Sequence, residues 1–155
     1  MKLFNILASA VLVFSLAACV SNSANGSYVD NSNVNAVIAK DIASKTADLL
    51  PAAQSTIYLE DKTTATNPTV VETALREYGF ALTQHKNTEG AIKLNYVIDQ
   101  VYADIFRGQL ILNGKNYSRA YQLKDDLSVS SVGAWSVNDS NTNGIFKIPD
   151  WEQKK

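Results

Sequence analysis

The hydrophobic and polar positions of this chain change rhythm several times, and each rhythm predicts an element. Residues 3 to 18 are apolar apart from Asn5, Ser9 and Ser15. Residues 20 to 33 are mostly small and polar, the composition of a flexible tether. Val34, Val37, Ile38, Ile42, Leu49 and Leu50 then recur at helical spacing, with Lys40, Lys45 and Asp48 largely off that stripe. The helix is expected to start at Asn33, an N-cap residue type, and to stop at Pro51. Such a stripe suits a helix that covers the core of its own domain.

Residues 55 to 59 read as a short strand with Ile57 and Leu59 on one face. After a polar turn, Asn67-Pro68 opens a second helix. It carries Val71, Ala74, Leu75 and Tyr78 as its apolar stripe and ends at Gly79. Residues 80 to 83 follow as a strand, and strand–helix–strand over this length suits a crossover between parallel neighbours. From residue 91 to 100 the alternation is strict: Ile92, Leu94, Tyr96 and Ile98 against Lys93, Asn95, Val97 and Asp99. Residues 108 to 112 and 115 to 123 form a hairpin around Asn113-Gly114, since both central positions of a type I′ turn need positive φ. Its register puts Leu110, Leu112, Tyr117, Arg119, Tyr121 and Leu123 on one face. Residues 128 to 137 offer one more strand with Trp135 as an anchor, while 136 to 144, rich in Asn, Asp and Ser, read as loop or disorder.

Together these elements predict an α+β fold, two helices packed on one face of a mixed, mostly antiparallel sheet of about five strands. The expected organisation is a signal peptide over 1–18, a tether over 19–33, the α+β domain over 34–135 and a flexible C-terminal tail over 136–155.

Composition adds an address. Met1-Lys2 followed by an apolar run and small residues matches an export signal, and the run is too short to span a bilayer comfortably. Leu16-Ala17-Ala18-Cys19 resembles a bacterial lipobox. That resemblance implies a diacylglyceryl group on the Cys19 sulfur, cleavage ahead of the cysteine and an acyl chain such as palmitate on the new amine. The other reading is an ordinary secretory signal that leaves Cys19 as a buried thiol. An odd cysteine in an exported chain calls for an explanation, and this one stands where a lipobox needs it. Acyl chains at about 0.8 kcal/mol per buried methylene anchor a protein without a transmembrane helix. Val20, in place of the aspartate that retains many lipoproteins at the inner membrane, points to the outer membrane.

Removing residues 1 to 18 leaves 137 of the 155 residues, enough for one domain with a real core. Loss of Lys2 takes the formal charge from −1 to −2, and no long basic run survives to bind nucleic acid directly. No catalytic, cofactor or metal constellation stands out. His85 is the only histidine, there is no Gly-rich phosphate loop, and Glu60, Asp61, Asp99, Asp104, Asp125 and Asp126 give no reason to select a pair. Trp135, Phe146 and Trp151 have two readings: cover for the sheet, or anchors for another protein.

The layout resembles the TrbH family of conjugal transfer lipoproteins. The matching features are the lipobox ending in Cys19 and the helix containing Ala39-Lys40-Asp41-Ile42-Ala43 and Leu49-Leu50-Pro51-Ala52. They continue in the stretch from Val71 through Leu75-Arg76 to Gly79-Phe80, the strand Leu94-Asn95-Tyr96-Val97-Ile98-Asp99, and Ser118-Arg119-Ala120-Tyr121. The resemblance implies a component of a conjugative type IV secretion apparatus at the periplasmic face of the outer membrane. It would act through tethering and contact with other secretion-channel subunits, as part of an oligomeric ring complex. The alternative is an envelope lipoprotein that regulates or assembles another machine, such as a peptidoglycan synthase.

Overall fold

Helix α1 (Ser32–Leu49) packs on one face of a seven-stranded sheet. The computed structural model describes residues 26–59 and 69–139. In chain order the elements are β1 (Gly26–Ser27), α1, a 3-10 turn (Ala52–Gln54), β2 (Thr56–Leu59), α2 (Thr69–Glu77), β3 (Ala81–Thr83), β4 (Ile92–Tyr102), β5 (Ile105–Leu112), β6 (Lys115–Leu123) and β7 (Val129–Asp139). Across the sheet the order is β3-β2-β4-β5-β6-β7, with β1 also beside β4. Strands β1 and β2 run parallel to β4, β2 along Ile92–Leu94 and β1 along Val97 and Ile98. Strand β3 pairs parallel with β2 after the α2 crossover. Strands β4 to β7 form an antiparallel meander.

The fold is α+β with two helices, as the sequence predicts, but the sheet is larger and more evenly mixed. It has seven strands rather than about five, and parallel pairings are as numerous as antiparallel ones.

Local chemistry accounts for the boundaries. Asn31, not Asn33, caps α1: its side-chain oxygen accepts from the backbone N–H groups of Asn33 and Val34, each at 3.1 Å. Asn33 instead donates its side-chain amide to the Leu127 carbonyl at 3.0 Å. Helix α2 ends as expected. Gly79 takes φ +89, its N–H bonds the Arg76 carbonyl and the Phe80 N–H bonds the Leu75 carbonyl, a Schellman closure. At the β5–β6 turn, Asn113 and Gly114 adopt φ 51 and 75, as the hairpin reading requires.

The core forms between the helices and one face of the sheet. Leu94, Tyr96 and Ile98 of β4, Phe106, Leu110 and Leu112 of β5, and Tyr117 and Tyr121 of β6 alternate onto that face. Val34, Ile38, Ala39, Ile42 and Ala43 of α1 and Val71, Ala74 and Leu75 of α2 meet them. Each buried Ile or Leu contributes about 1.5–3 kcal/mol. One inward position carries no side chain. A methyl group placed on Gly108 would lie 2.6 Å from Cγ2 of Ile38 and 3.2 Å from Cε2 of Tyr121. Helix α1 therefore approaches β5 over a glycine.

Two domain boundaries move. The expected tether, 19–33, is docked from Gly26 onward. Ser27 donates its hydroxyl to Oδ1 of the buried Asn35, Asn35 donates its amide to the Val29 carbonyl at 2.6 Å, and the Tyr28 N–H bonds the Ile98 carbonyl at 2.8 Å. These buried groups are satisfied only when the segment lies against α1 and β4. The expected tail, 136–155, begins too early, because β7 continues to Asp139 on hydrogen bonds to β6. The register slips between Ser118 and Ala120, and Gly133 at φ +80 lies in the β7 residues opposite. That irregularity breaks the alternation that would have marked the strand.

The Gly108 contact gives a direct expectation. Gly108→Ala forces α1 and β5 apart and lowers stability by about 1–3 kcal/mol. The urea midpoint of the variant checks this.

Candidate functional site

Arg119 occupies an inward-facing position of β6, where a charged side chain needs a partner. The partner is Asp41, one turn beyond Ile38 on α1. Nη1 of Arg119 donates to Oδ2 of Asp41 at 2.9 Å, and the Tyr121 hydroxyl donates to the same oxygen. Nε of Arg119 donates to the Gly133 carbonyl at 2.9 Å. The slip in β7 places that carbonyl where Arg119 reaches it. One guanidinium thus ties α1, β6 and β7 together.

Asp41 and Arg119 are each about one-quarter exposed, 27% and 22%, while Tyr121 is buried. Burial, reinforced by the hydrogen bond to Asp41 and its charge, pushes the Tyr121 hydroxyl well above its ordinary pKa; Arg119 opposes this weakly. The hydroxyl stays protonated and acts as a donor. The cluster borders a shallow depression of about 390 Å³ lined by Lys40, Asp41, Ser44, Tyr78, Tyr121 and Val129, among others. Its chemistry is that of a polar lock at a helix–sheet seam: the carboxylate already serves two donors, and the tyrosine proton is held.

The residues singled out from sequence are scattered. Cys19, Phe146 and Trp151 lie outside the described residues, as do Glu60 and Asp61. Trp135 lies on β7, half-buried against the core. His85 is exposed between β3 and β4, and its backbone N–H bonds the Thr83 hydroxyl. Asp99 holds Arg107 across β4 and β5 in a two-pronged pair, Nε to Oδ1 at 3.0 Å. Asp104 accepts from the Gln122 amide. Asp126 accepts from the backbone and hydroxyl of Ser128, which holds its carboxyl below the usual range. Among the described residues, no three of His, Cys, Asp or Glu gather to hold a metal, and no helix is long and apolar enough to cross a membrane. The Asp41 role was missed from sequence. The one available signal was Arg119 on an apolar face, which demands a carboxylate without saying which.

Tyr121 gives the lock a pH signature. The folded state holds this proton more tightly than the unfolded chain, so its contribution is complete below the unfolded value of 10.0 and is lost as pH rises above it. Tyr121→Phe costs about 1–3 kcal/mol at neutral pH through the lost bond to a carboxylate. Above about pH 10 the gap to the wild type narrows, because only the wild type loses stability through this group. Urea midpoints of both proteins across that range measure it.

A family model described as conjugal transfer protein TrbH matches residues 20–139. No curated protein and no solved structure matches the chain. The family match takes in both helices and all seven strands, and the chain belongs to the TrbH family of conjugal transfer proteins.

Proposed function

We propose that this protein is a lipid-anchored structural or assembly subunit of a conjugative type IV secretion apparatus, held on the periplasmic face of the outer membrane. The observation that carries the reading is the family match across the whole described body, which places the chain in conjugal transfer. The anchor and its membrane are supported by Leu16-Ala17-Ala18-Cys19 behind an apolar run, and by Val20 after the cysteine. The role is tethering and contact with other subunits of the apparatus. The polar cluster of Asp41, Arg119 and Tyr121 suits that role, since it holds a helix to a sheet.

The test uses donor cells carrying the full-length protein or Cys19→Ser. Mass spectrometry of the mature wild type is expected to find an N-terminal Cys19 bearing a diacylglyceryl group and an amide-linked acyl chain. Cys19→Ser is expected to lose outer-membrane fractionation and to transfer plasmid poorly. An unmodified Cys19, or a cut at another bond, removes the anchor. Normal transfer by cells lacking the gene removes the conjugative role.

A further inference from the structure

Six large hydrophobic side chains stand exposed among the described residues, and four gather at one end of the sheet. Strands β1, β4 and β6 all run toward that end, so the β1–α1 connection and the β4–β5 and β6–β7 turns lie together there. Together with the last residues of β4 they carry Tyr28, Val101, Tyr102 and Leu127, with Tyr102 75% and Leu127 69% exposed. Hydrogen bonds make this end one piece. The Leu123 N–H bonds the Asp104 carbonyl at 2.9 Å, and Asn33 holds the Leu127 carbonyl. From β1 to the β6–β7 turn is between three and four strand spacings, about 17 Å.

Leu127 is the odd residue of the group. Its φ is 63, a left-handed conformation that is a genuine outlier for a bulky side chain. At the opposite end of the sheet the same need is met by Asn113 and Gly114, the residue types suited to it. Around Leu127 the turn is fixed on several sides. The Leu127 N–H bonds the Lys124 carbonyl, the Lys124 N–H bonds the Ser128 carbonyl, and Asp126 accepts from Ser128. The strain buys no burial, since the side chain is left in solvent. Strain held in place beside an exposed apolar group is what a presented contact residue looks like.

Charge decides what it is presented to. The connections at this end carry Asp30, Asp104, Asp125 and Asp126 against Lys124 alone. An anionic lipid surface repels that rim, whereas a protein surface with lysine and arginine around an apolar centre complements it. We propose that Tyr28, Val101, Tyr102 and Leu127 form a docking surface for a protein whose contact patch is apolar at its centre and basic at its edge. That the partner is another transfer subunit rests on the proposed function; the surface itself does not.

The test places a photo-cross-linking residue at Tyr102, or at Gln54 on the opposite end of the sheet, in full-length protein in donor envelopes. Adducts are identified by mass spectrometry. Position 102 is expected to yield one adduct with a protein whose cross-linked patch is basic at its rim, and position 54 is not. The double variant Asp30→Lys with Asp125→Lys, which reverses rim charge and leaves the Asp126–Ser128 bonds in place, is expected to cut adduct yield by about tenfold or more. Leu127→Gly is expected to cut it as far while leaving Tm unchanged or a few degrees higher, because glycine relieves the strained turn. A fall in Tm of more than about 5 °C for Leu127→Gly makes the leucine structural and overturns the proposal. So does an adduct with lipid or with a second copy, no adduct, or a yield indifferent to the charge reversal. An adduct that meets every expectation but is an envelope protein outside the transfer apparatus confirms the surface and overturns the conjugative reading alone.

Discussion

The distance between α1 and β5 is the constraint on which the rest of the molecule depends. It is set by the absent side chain at Gly108, over which Ile38 settles against the sheet and against Tyr121. With the helix at this height, Asp41 comes within hydrogen-bonding range of Arg119 and Tyr121. Farther along, Arg119 holds the Gly133 carbonyl and so draws in the outermost strand. Toward the start of the helix, Asn33 reaches the Leu127 carbonyl and Asn35 secures the Ser27–Val29 segment. A single close approach thus positions a part-buried polar lock, an edge strand, the Leu127 turn and the incoming chain.

Much of this fold can be read from sequence because the signals are local. The alternation from Ile92 to Ile98 needs only its own side chains to reveal β4, and Asn113-Gly114 and Gly79 mark turns whose φ angles demand those residues. What escapes reading depends on distant partners. Strand β1 is two residues in a polar stretch, and its reason for existing is the edge of β4 and the amide of Asn35. Strand β7 loses its phase at Gly133, so its apolar positions do not alternate cleanly. The cap falls on Asn31, whose backbone is extended, while Asn33 bonds the Leu127 carbonyl 94 positions away. Asp41 and Arg119 lie 78 positions apart, beyond any pattern one stretch of chain can show.

The body that results is built asymmetrically. One face of the sheet is closed by helices and sealed by apolar contacts. The other carries Asn95, Ile111 and Asn116 in register across β4, β5 and β6, with the oxygen of each asparagine side chain buried and without a protein partner. Its ion pair, Asp99 with Arg107, lies farther along the same face. The division between sealed face, polar face and apolar end gives one rigid body three surfaces of differing character.

The short β1 strand has a mechanical consequence. A pull directed along the axis of β1 loads its backbone hydrogen bonds to β4 together, in shear. A strand pulled at right angles would give up its bonds one after another. The Tyr28 N–H bond to Ile98 and the Asn35 bonds to Ser27 and Val29 lie behind it and share the strain. Tension along that axis is thereby passed to β4, in the interior of the sheet, and not to an edge strand.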